Sequence, residues 1–328
     1  MVEKASRSLG ESLQERRGYH VVVVKSTVPP GTTERLVIPT VSKYSGGAGE
    51  RIGFAMNPEF LREGLAVQDF MNPDRIVIGS SDPRAAEVVE SAESGIIAPK
   101  MRVGLPAAEM IKYASNALLA TKISFSNEVG NICKKLGINV YEVMRGVGMD
   151  HRISPHFLNA GAGFGGGCFP KDVMAMIRLG EALGEDPVLL KSVMEVNERQ
   201  PLRMVEMLER KIGPLSGREV AVLGLAFKND TDDVRDSRAV PVIEELLRRG
   251  AQVRAYDPLA APNMRKLVPD IEYSDNASGA LKGADGCLIM TEWPEFRRLD
   301  GEFGLMRSRV IIEGRKILSC HGAEGICW

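Results

Sequence analysis

Short uninterrupted apolar runs alternate with amphipathic stretches along the chain, beginning with four consecutive valines at 21–24. Such runs are typical of parallel strands buried on both faces. They predict strands at 20–27, 51–60, 75–81, 218–227, 251–258, 286–293 and 309–318. Apolar residues at helical spacing predict helices at 2–18, 33–41, 83–94, 107–136, 139–148, 170–184, 187–213 and 237–250. Strands that alternate with helices indicate parallel sheets with right-handed crossovers.

This alternation divides the chain into three regions. Residues 1–95 predict one α/β unit, 96–213 a helical region, and 214–328 a second α/β unit after the turn-forming sequence PLSG. The expected fold class is α/β, with two Rossmann-like parallel-sheet domains joined by a central helical dimerisation segment. A dinucleotide-binding domain needs an opening strand and a glycine-rich turn, and no such turn precedes Val21. We therefore expect the first of these domains to be truncated.

The second α/β unit lacks the dinucleotide fingerprint, because Gly224 is the only glycine in its first turn. The loop that follows mixes Lys228 and Arg235 with several aspartates. Such a loop is either a solvated surface or the edge of a nucleotide site.

The helix predicted at 107–136 has an unusually broad apolar face, wide enough for a core or a dimer seam. The residues on this face are Met110, Ile111, Ala114, Ala117, Leu118, Thr121 and Phe125. Lys112 and Asn116 are four positions apart and therefore share one side of the helix. Taken alone, polar residues at such spacing usually form a solvated face.

Composition narrows the class of protein. The chain has 328 residues, 44% of them hydrophobic and 26% charged, with a net charge of −1, so nothing argues for a nucleic-acid or membrane partner. The cysteines at 133, 168, 287, 320 and 327 form no C-x-x-C pair, and the four histidines complete no ligand set with them. We expect no disulfide framework, no metal and no signal peptide, and a reducing cytoplasm.

The stretch NAGAGFGGGCFPKD at 159–172 is the strongest candidate for chemistry. Pro170 is suited to the first turn of a helix, which places Cys168 at a helix N-terminus, where an anion is favoured. Such a position lowers the pKa of a thiol, and a nearby Lys171 would lower it further. A lone cysteine is more often a buried, inert residue. Here the glycines, cysteine, proline and lysine together favour a nucleophile.

The same stretch contains a misleading match. Gly161, Gly163 and Gly166 satisfy G-x-G-x-x-G, but that fingerprint requires a strand immediately before it. Residues 151–160 carry a proline and no strand pattern. We interpret the match as coincidence.

Seven sequence blocks together resemble the UDP-glucose/GDP-mannose dehydrogenase family. They are VVKSTVPPGTT, NPEFLREG, AAEMIKYASNALLA, GMDHRI, GFGGGCFPKD, GLAFKNDTDDVRDS and EGRKIL. The resemblance implies oxidation of a nucleotide sugar twice, to the uronate, with NAD as cofactor. GMDHRI and FLNAGAGFGGGC look like the UDP-glucose branch, and NPEFLREG argues against the N-acetylmannosamine branch.

The resemblance also implies roles for individual residues. The catalytic residues are Cys168 as nucleophile, Lys112 and Asn116 as support for an oxyanion, and Glu59 as activator of water, with Thr27 and Asp172 nearby. The residues implied to bind the UDP-sugar are Phe60, Leu61, Asn159, Phe164, Gly165, Phe227, Lys228 and Arg315, with Arg152 reaching the substrate of a neighbouring subunit. The residues implied to contact NAD are Ser26, Glu63, Lys171 and Arg235.

Three readings follow from this resemblance. The first is an NAD-dependent UDP-glucose oxidoreductase that forms a homodimer through its central helix. The alternatives are an enzyme acting on GDP-mannose and a non-catalytic dimer that binds a nucleotide sugar. From the missing turn before Val21 we further expect weak UDP-glucose binding, negligible NAD binding, and aggregation through 20–27 as an exposed edge strand.

Overall fold

The computed structural model describes residues 1–47, 49–318 and 322–328. Its residues form two compact units, Met1–Asn116 and Ala117–Trp328. Each unit contains its own sheet and its own buried apolar clusters. The helices that begin in the first unit are α1 (Val2–Leu13), α2 (Ile38–Tyr44), α3 (Ala66–Met71), α4 (Pro83–Ala92) and α5 (Leu105–Leu136).

The sheet of the first unit has the order β1-β2-β3-β4 in the described part of the chain. Its strands are β1 (His20–Val24), β2 (Ile52–Met56), β3 (Ile76–Ser80) and β4 (Lys100–Val103). Strands β1 and β2 are parallel, as are β3 and β4, whereas β2 and β3 are antiparallel. The parallel prediction is therefore wrong for that one pair, because the chain returns at the same end of the sheet instead of crossing it.

Strand β1 stands at the end of this order, as expected. Val22 is 7% exposed and packs with Val37 and Ile52, but Val23 is 38% exposed. Burial on both faces, which the four valines predicted, is thus wrong for this strand. An apolar run indicates a strand more reliably than it indicates how many faces are covered.

The second unit contains a parallel sheet with the order β10-β9-β8-β5-β6-β7 among the residues described there. Its strands are β5 (Glu219–Leu223), β6 (Gln252–Tyr256), β7 (Glu272–Tyr273), β8 (Gly286–Ile289), β9 (Ile311–Glu313) and β10 (Ala323–Gly325). Central strand β5 is almost entirely buried, because helices cover the faces of a parallel sheet. The predicted strands at 218–227, 251–258, 286–293 and 309–318 are confirmed.

Helices α6 to α12 complete the second unit. They are α6 (Val140–Gly148), α7 (Phe169–Ala182), α8 (Val188–Arg199), α9 (Leu202–Ile212), α10 (Ala239–Arg248), α11 (Ala261–Leu267) and α12 (Ala277–Leu281). The single helix predicted at 187–213 is wrong, since α8 and α9 are separate. Pro201 lies in the break, and proline lacks the N–H that an uninterrupted helix would need there.

The described residues contain neither a candidate membrane helix nor a candidate metal site. Within residues 1–47, 49–318 and 322–328, no helix has the length and apolar character needed to cross a membrane. The same ranges contain no cluster of His, Cys, Asp and Glu side chains able to hold a metal ion. Cys320, which entered the cysteine interpretation above, lies outside the described residues.

Candidate active site

The cysteine loop, residues 159–168, leads directly into α7. Helix α7 begins at Phe169 with Pro170 in its first turn, as predicted, and Cys168 is the residue that caps it. The Cys168 side chain is exposed. The residues before the loop form turns and no strand, so the interpretation of the G-x-G-x-x-G match as coincidence is confirmed. The thiol lies at the positive end of a helix, where a thiolate is stabilised.

Two fully buried asparagines hold the backbone of the cysteine loop. Asn127 on α5 accepts a hydrogen bond from the Gly161 N–H through Oδ1 at 2.7 Å. Asn197 on α8 accepts from the Phe164 N–H at 2.7 Å and donates to the Phe164 carbonyl at 3.0 Å. Both asparagines are 0% exposed. Neither was found from the sequence, although Asn197 follows buried Val193 by one helical turn, which is a usable signal.

The three consecutive glycines of the cysteine loop lie against a second loop, residues 225–238, which follows β5. At each glycine a Cβ atom would collide with one group of that loop. The pairs are Gly165 with the Asp236 carbonyl, Gly166 with the Phe227 ring, and Gly167 with the Arg235 guanidinium. Only glycine permits such close approach. The nucleotide loop, as residues 225–238 are called below, therefore packs directly beside the residues that precede Cys168.

The nucleotide loop is itself fixed by hydrogen bonds. The Phe227 N–H donates to the Asp233 carbonyl at 3.0 Å, and the Arg235 guanidinium binds the Asp233 carboxylate with two nitrogens, the shortest contact being 2.6 Å. The Lys228 ammonium lies 5.5 Å from the centre of the Phe227 ring. The loop thus presents an aromatic ring and two cations, groups suited to a nucleotide diphosphate.

Asp257, at the carboxyl end of β6, anchors the start of the nucleotide loop. Its Oδ2 accepts from the N–H groups of Leu225 and Ala226 at 2.7 and 3.0 Å and from the Trp293 indole at 3.0 Å. Its Oδ1 accepts from two more backbone N–H groups, at 2.9 and 2.7 Å. The carboxylate, 4% exposed, is therefore a structural anchor.

Arg315 follows β9 and links it to the cysteine loop. Its Nη2 donates to the Gly163 carbonyl at 2.8 Å, and its Nε lies 3.1 Å from the Glu292 carboxylate. Glu313, two residues earlier, is 2% exposed. Burial raises the pKa of Glu313, although backbone N–H groups and the Trp328 indole donate to its carboxylate.

Lys171, predicted to act on the Cys168 thiol, forms an ion pair with the next residue. Its ammonium contacts the Asp172 carboxylate at 2.7 Å. Asp172 is 1% exposed, whereas the Lys171 side chain is mostly exposed. The Asp172 carboxylate balances part of the Lys171 charge, and the effect of Lys171 on the Cys168 thiol stays a prediction.

In the first unit, Lys112 and Glu59 form an ion pair. The Lys112 ammonium lies 3.2 Å from Glu59 Oε1, and Lys112 is 4% exposed. Glu59 Oε2 also accepts from the Leu61 N–H at 2.6 Å. Two cations lie near the Phe60 ring, the Arg75 guanidinium 4.0 Å and the Lys112 ammonium 5.5 Å from its centre. The sequence indicated Glu59, Phe60 and Lys112 separately, and the structure brings them together.

A buried carboxylate on α5 secures the turn after β1. Glu109, 0% exposed, accepts from the Thr33 N–H at 2.8 Å, from the Thr33 hydroxyl at 2.6 Å and from the Gly31 N–H. Glu109 was not among the predicted site residues. Ser26 is exposed and Thr27 half-buried at the carboxyl end of β1.

The remaining predicted residues differ in how far they are exposed within their own units. Asn116 is 7% exposed on α5, and Glu63 is exposed after β2. Asn159 is exposed at the start of the cysteine loop, and the Phe164 side chain is buried against Ala117 and Val193. The first unit therefore groups Glu59, Phe60, Leu61 and Lys112, and the second groups Cys168, Phe164, Gly165, Phe227, Arg235 and Arg315.

Arg152 projects from a short turn after α6. Its guanidinium binds the Asp150 carboxylate at 2.6 and 3.0 Å, which raises the pKa of Arg152 and lowers that of Asp150. The Lys122 ammonium on α5 donates to the carbonyls of Ile153 and Ser154 at 3.0 and 3.3 Å. The turn is thus attached to α5, while the Arg152 side chain is 77% exposed.

Parallel α/β sheets bind nucleotides at the carboxyl ends of their strands, and here a cysteine loop packs beside such an end. These features define a nucleotide-binding α/β enzyme with an exposed cysteine at a helix N-terminus. Sequence models of the UDP-glucose/GDP-mannose dehydrogenase family match residues 1–92 (NAD binding domain), 106–199 (central domain) and 221–320 (UDP binding domain). The chain belongs to this family.

Individual relatives agree with this assignment. A UDP-glucose 6-dehydrogenase of Haloferax volcanii is 47% identical over 324 residues, which cover 97% of this chain and 75% of the relative. The UDP-glucose 6-dehydrogenase TuaD of Bacillus subtilis is 44% identical over 97% of this chain and 68% of its own length. The structure of a UDP-glucose dehydrogenase from Pyrobaculum islandicum superposes with a TM-score of 0.93 at 46% identity, covering 100% of this chain and 75% of that one.

These comparisons confirm an NAD-dependent oxidoreductase with NAD as cofactor. They do not support the expected truncation, because the NAD-binding-domain model matches residues 1–92. The absence of a glycine-rich turn before Val21 was an insufficient reason for it. The expectation of negligible NAD binding loses its basis with it, whereas weak UDP-glucose binding and aggregation through 20–27 stay predictions. Neither GDP-mannose as substrate nor a non-catalytic dimer is favoured.

Proposed function

We propose that the protein oxidises UDP-glucose to UDP-glucuronate in a four-electron reaction with NAD. The observation that carries the proposal is Cys168, an exposed thiol at the N-terminus of α7, packed beside the nucleotide loop of the UDP-binding domain. The relatives named UDP-glucose 6-dehydrogenase support the choice of sugar and base.

The first oxidation converts the C6 alcohol of the sugar to an aldehyde. The Cys168 thiolate then adds to C6, so that an S–C bond forms and the carbonyl oxygen becomes an oxyanion. Lys112, a buried cation, and Asn116 on the same helix stabilise that oxyanion. Loss of a second hydride from C6 restores the C=O bond and leaves a thioester on Cys168.

Hydrolysis of the thioester completes the reaction. Glu59 polarises the attacking water, with Thr27 and Asp172 assigned supporting positions. A C–O bond forms, the C–S bond breaks, and the water proton passes to the carboxylate while Cys168 leaves as a thiolate. Lys112 stabilises the oxyanion again in this step, and its ammonium lies 3.2 Å from Glu59, the carboxylate assigned to the water.

The carboxyl edge of the first sheet has suitable chemistry for NAD. The side chain of Lys25, directly after β1, donates to Asn57, directly after β2, so that the two strand ends meet at one edge. Ser26 beside them is exposed and offers a hydroxyl, and exposed Glu63 offers a carboxylate, as ribose hydroxyls require. We assign Ser26, Glu63, Lys171 and Arg235 to the cofactor, which supplies the hydride acceptor for both oxidations.

We assign the UDP-sugar to the cysteine and nucleotide loops. Their side chains offer a ring for the base, cations for the diphosphate and backbone groups for the sugar. The loop residues are Asn159, Phe164, Gly165, Phe227 and Lys228, and outside the loops we assign Arg315, Phe60 and Leu61, together with Arg152 of a second copy. A catalytic thiol requires a reducing compartment, so we also propose a cytoplasmic location.

We further propose a homodimer formed through α5. Leu118, Phe125 and Ile132 recur every seven residues on this helix and are 63%, 53% and 56% exposed. A stripe with this period is typical of a helix that pairs with another helix. Ala117 and Ala120 on α5 are instead buried within the unit. Part of the apolar face predicted from the sequence therefore packs inside the unit, and the rest is exposed.

Replacing the nucleophile tests the proposed function. We expect Cys168→Ala to abolish UDP-glucuronate formation, because no thioester can form, while UDP-glucose still binds. The measurements are product analysis with NADH absorbance, and calorimetry for UDP-glucose. Cys287→Ala, at another cysteine that is fully buried, is the control and should keep activity. Wild-type uronate production by Cys168→Ala would exclude the covalent mechanism.

A further inference from the structure

Asn197 occupies an unusual place for an amide. It is 0% exposed on α8, one helical turn after buried Val193. Its side chain pairs with both backbone groups of Phe164, accepting at 2.7 Å and donating at 3.0 Å. The amide thus pairs with the N–H and the carbonyl of one residue, as the backbone of an adjacent β-strand would. One side chain therefore fixes both the position and the direction of the cysteine loop at Phe164.

The loop is shaped around this amide. Gly163 has a φ of +101°, and a Cβ there would lie 2.6 Å from Asn197 Oδ1. Glycine is favoured at this position for both reasons. If the loop shifted by one residue, Ala162 or Phe164 would take the place of Gly163, and its Cβ would collide with the Asn197 side chain.

Phe164 transmits its position to Cys168 through a ring contact. The buried Phe164 ring meets the Phe169 ring edge-on, with centroids 6.0 Å apart and an angle of 83°. Phe169 is the first residue of α7 and follows Cys168 directly. The loop is therefore fixed on one side of the cysteine by backbone hydrogen bonds and on the other by aromatic packing.

We propose that Asn197 is a positioning residue, which holds Cys168 at the N-terminus of α7 by fixing the backbone of Phe164. The inference rests on the proposed role of Cys168 as nucleophile. Asn197 itself touches the loop and not the reacting atoms. Its loss should therefore affect the chemical step more than the binding of substrate.

Gln200 provides a matched control. It is 1% exposed, lies three residues further along and also makes buried side-chain hydrogen bonds, to Asn131 at 2.8 Å and to Cys327 at 3.3 Å. These bonds do not reach the cysteine loop. Asn197→Leu and Gln200→Met thus each remove a buried amide while keeping its approximate shape.

We expect Asn197→Leu to lower kcat for UDP-glucose oxidation by about tenfold or more, with KM changed by less than about threefold. Gln200→Met should lose a similar amount of thermal stability and keep kcat. Asn197→Ser removes the amide without adding a buried charge and is the second variant should Asn197→Leu not fold, with an intermediate kcat expected. Equal kcat values in the Asn197 and Gln200 variants would overturn the proposal.

A second readout does not depend on activity. Iodoacetamide labelling of the Cys168 peptide, followed by mass spectrometry across a pH series, gives the titration midpoint of this thiol. We expect the midpoint to rise by about half a pH unit or more in both Asn197 variants, as the thiol leaves the helix terminus. Gln200→Met should leave it unchanged. An unchanged midpoint in the Asn197 variants overturns the positioning role even in a protein that lacks the proposed activity.

Discussion

At Gly165 and Gly167 the backbone lies outside the left-handed region, so an alanine could adopt either conformation. Both glycines are instead required for space. A Cβ at 165 would meet the backbone carbonyl of Asp236, whereas a Cβ at 167 would lie 2.7 Å from the Arg235 guanidinium, the far end of a flexible side chain. An alanine at 165 would therefore have to displace backbone, whereas an alanine at 167 would displace only a side chain.

This difference predicts unequal effects of the same substitution. We expect Gly165→Ala to destabilise the protein by about 1–3 kcal/mol, as overpacking does, and Gly167→Ala by clearly less. Urea unfolding of the two variants measures the difference. The interpretation fails if Gly167→Ala is the more destabilising of the two, because the Arg235 side chain would then be the more rigid neighbour.

Local sequence predicted the cysteine loop well and its supports poorly. Cys168 and Pro170 could be assigned because their roles depend on adjacent residues at a helix start. Asn197 could not, since its partner Phe164 is 33 positions away. The pairing of Lys171 with Asp172 also lay beyond the sequence, because a lysine side chain can reach several neighbours and only the fold selects one.

Among the helices, α10 carries a compact charge cluster near its end. Arg248 and Arg249 both donate to the Glu245 carboxylate, with contacts of 2.6 and 2.7 Å. These hydrogen bonds, with Arg248 making the larger contribution, lower the pKa of Glu245 from 4.5 to about 2. The cluster secures the last turn of α10 before the chain enters β6.

The lowered pKa predicts a pH-dependent stability. The ion pairs of Glu245 contribute fully above the unfolded pKa of 4.5 and are lost as pH falls toward about 2. We expect Glu245→Gln to lower the free energy of unfolding by up to about 1 kcal/mol at neutral pH, and by less at about pH 3. Glu244→Gln, at the adjacent exposed position, is the control. A difference independent of pH would contradict this account.

The features of the fold that the sequence missed have three physical causes. Strands β7 and β10 have two and three residues, too few to show a periodic pattern. The antiparallel pairing of β2 and β3 depends on where the chain re-enters the sheet, which apolar runs do not encode. The α8–α9 break was visible in Pro201, but the apolar spacing continues across it.

At the scale of the whole molecule, the exposed stripe on α5 predicts the assembly. Phe125→Glu places a charge at the middle of the stripe, and each buried apolar side chain contributes about 1.5–3 kcal/mol. We expect dimerisation to weaken by tenfold or more, measured by analytical ultracentrifugation. Leu259→Glu, at an exposed position on another part of the second unit, should leave it unchanged. A monomeric wild-type protein at micromolar concentration would refute the dimer.

Arg152 gives the assembly a functional test. We expect Arg152→Ala to raise KM for UDP-glucose and leave dimerisation intact, because its side chain is exposed and binds only Asp150 in its own turn among the described contacts. Mixing Arg152→Ala with Cys168→Ala subunits should restore part of the activity. Each mixed dimer then contains one site in which Cys168 of one subunit is combined with Arg152 of the other. Mixtures without any restored activity would contradict a role across subunits.

The hydrogen bonds that occupy the Asp257 carboxylate affect which kind of nucleotide the second sheet can bind. In dinucleotide-binding folds, an acidic residue at the end of the second strand receives the hydroxyls of the adenosine ribose. Asp257 stands at that place in the second sheet, but five N–H groups already occupy a carboxylate with about four lone pairs. The unit therefore retains the architecture of a dinucleotide site with its ribose contact closed. Among the described residues, the second sheet thus lacks a free acidic group at this place for an adenosine ribose, which disfavours a dinucleotide there.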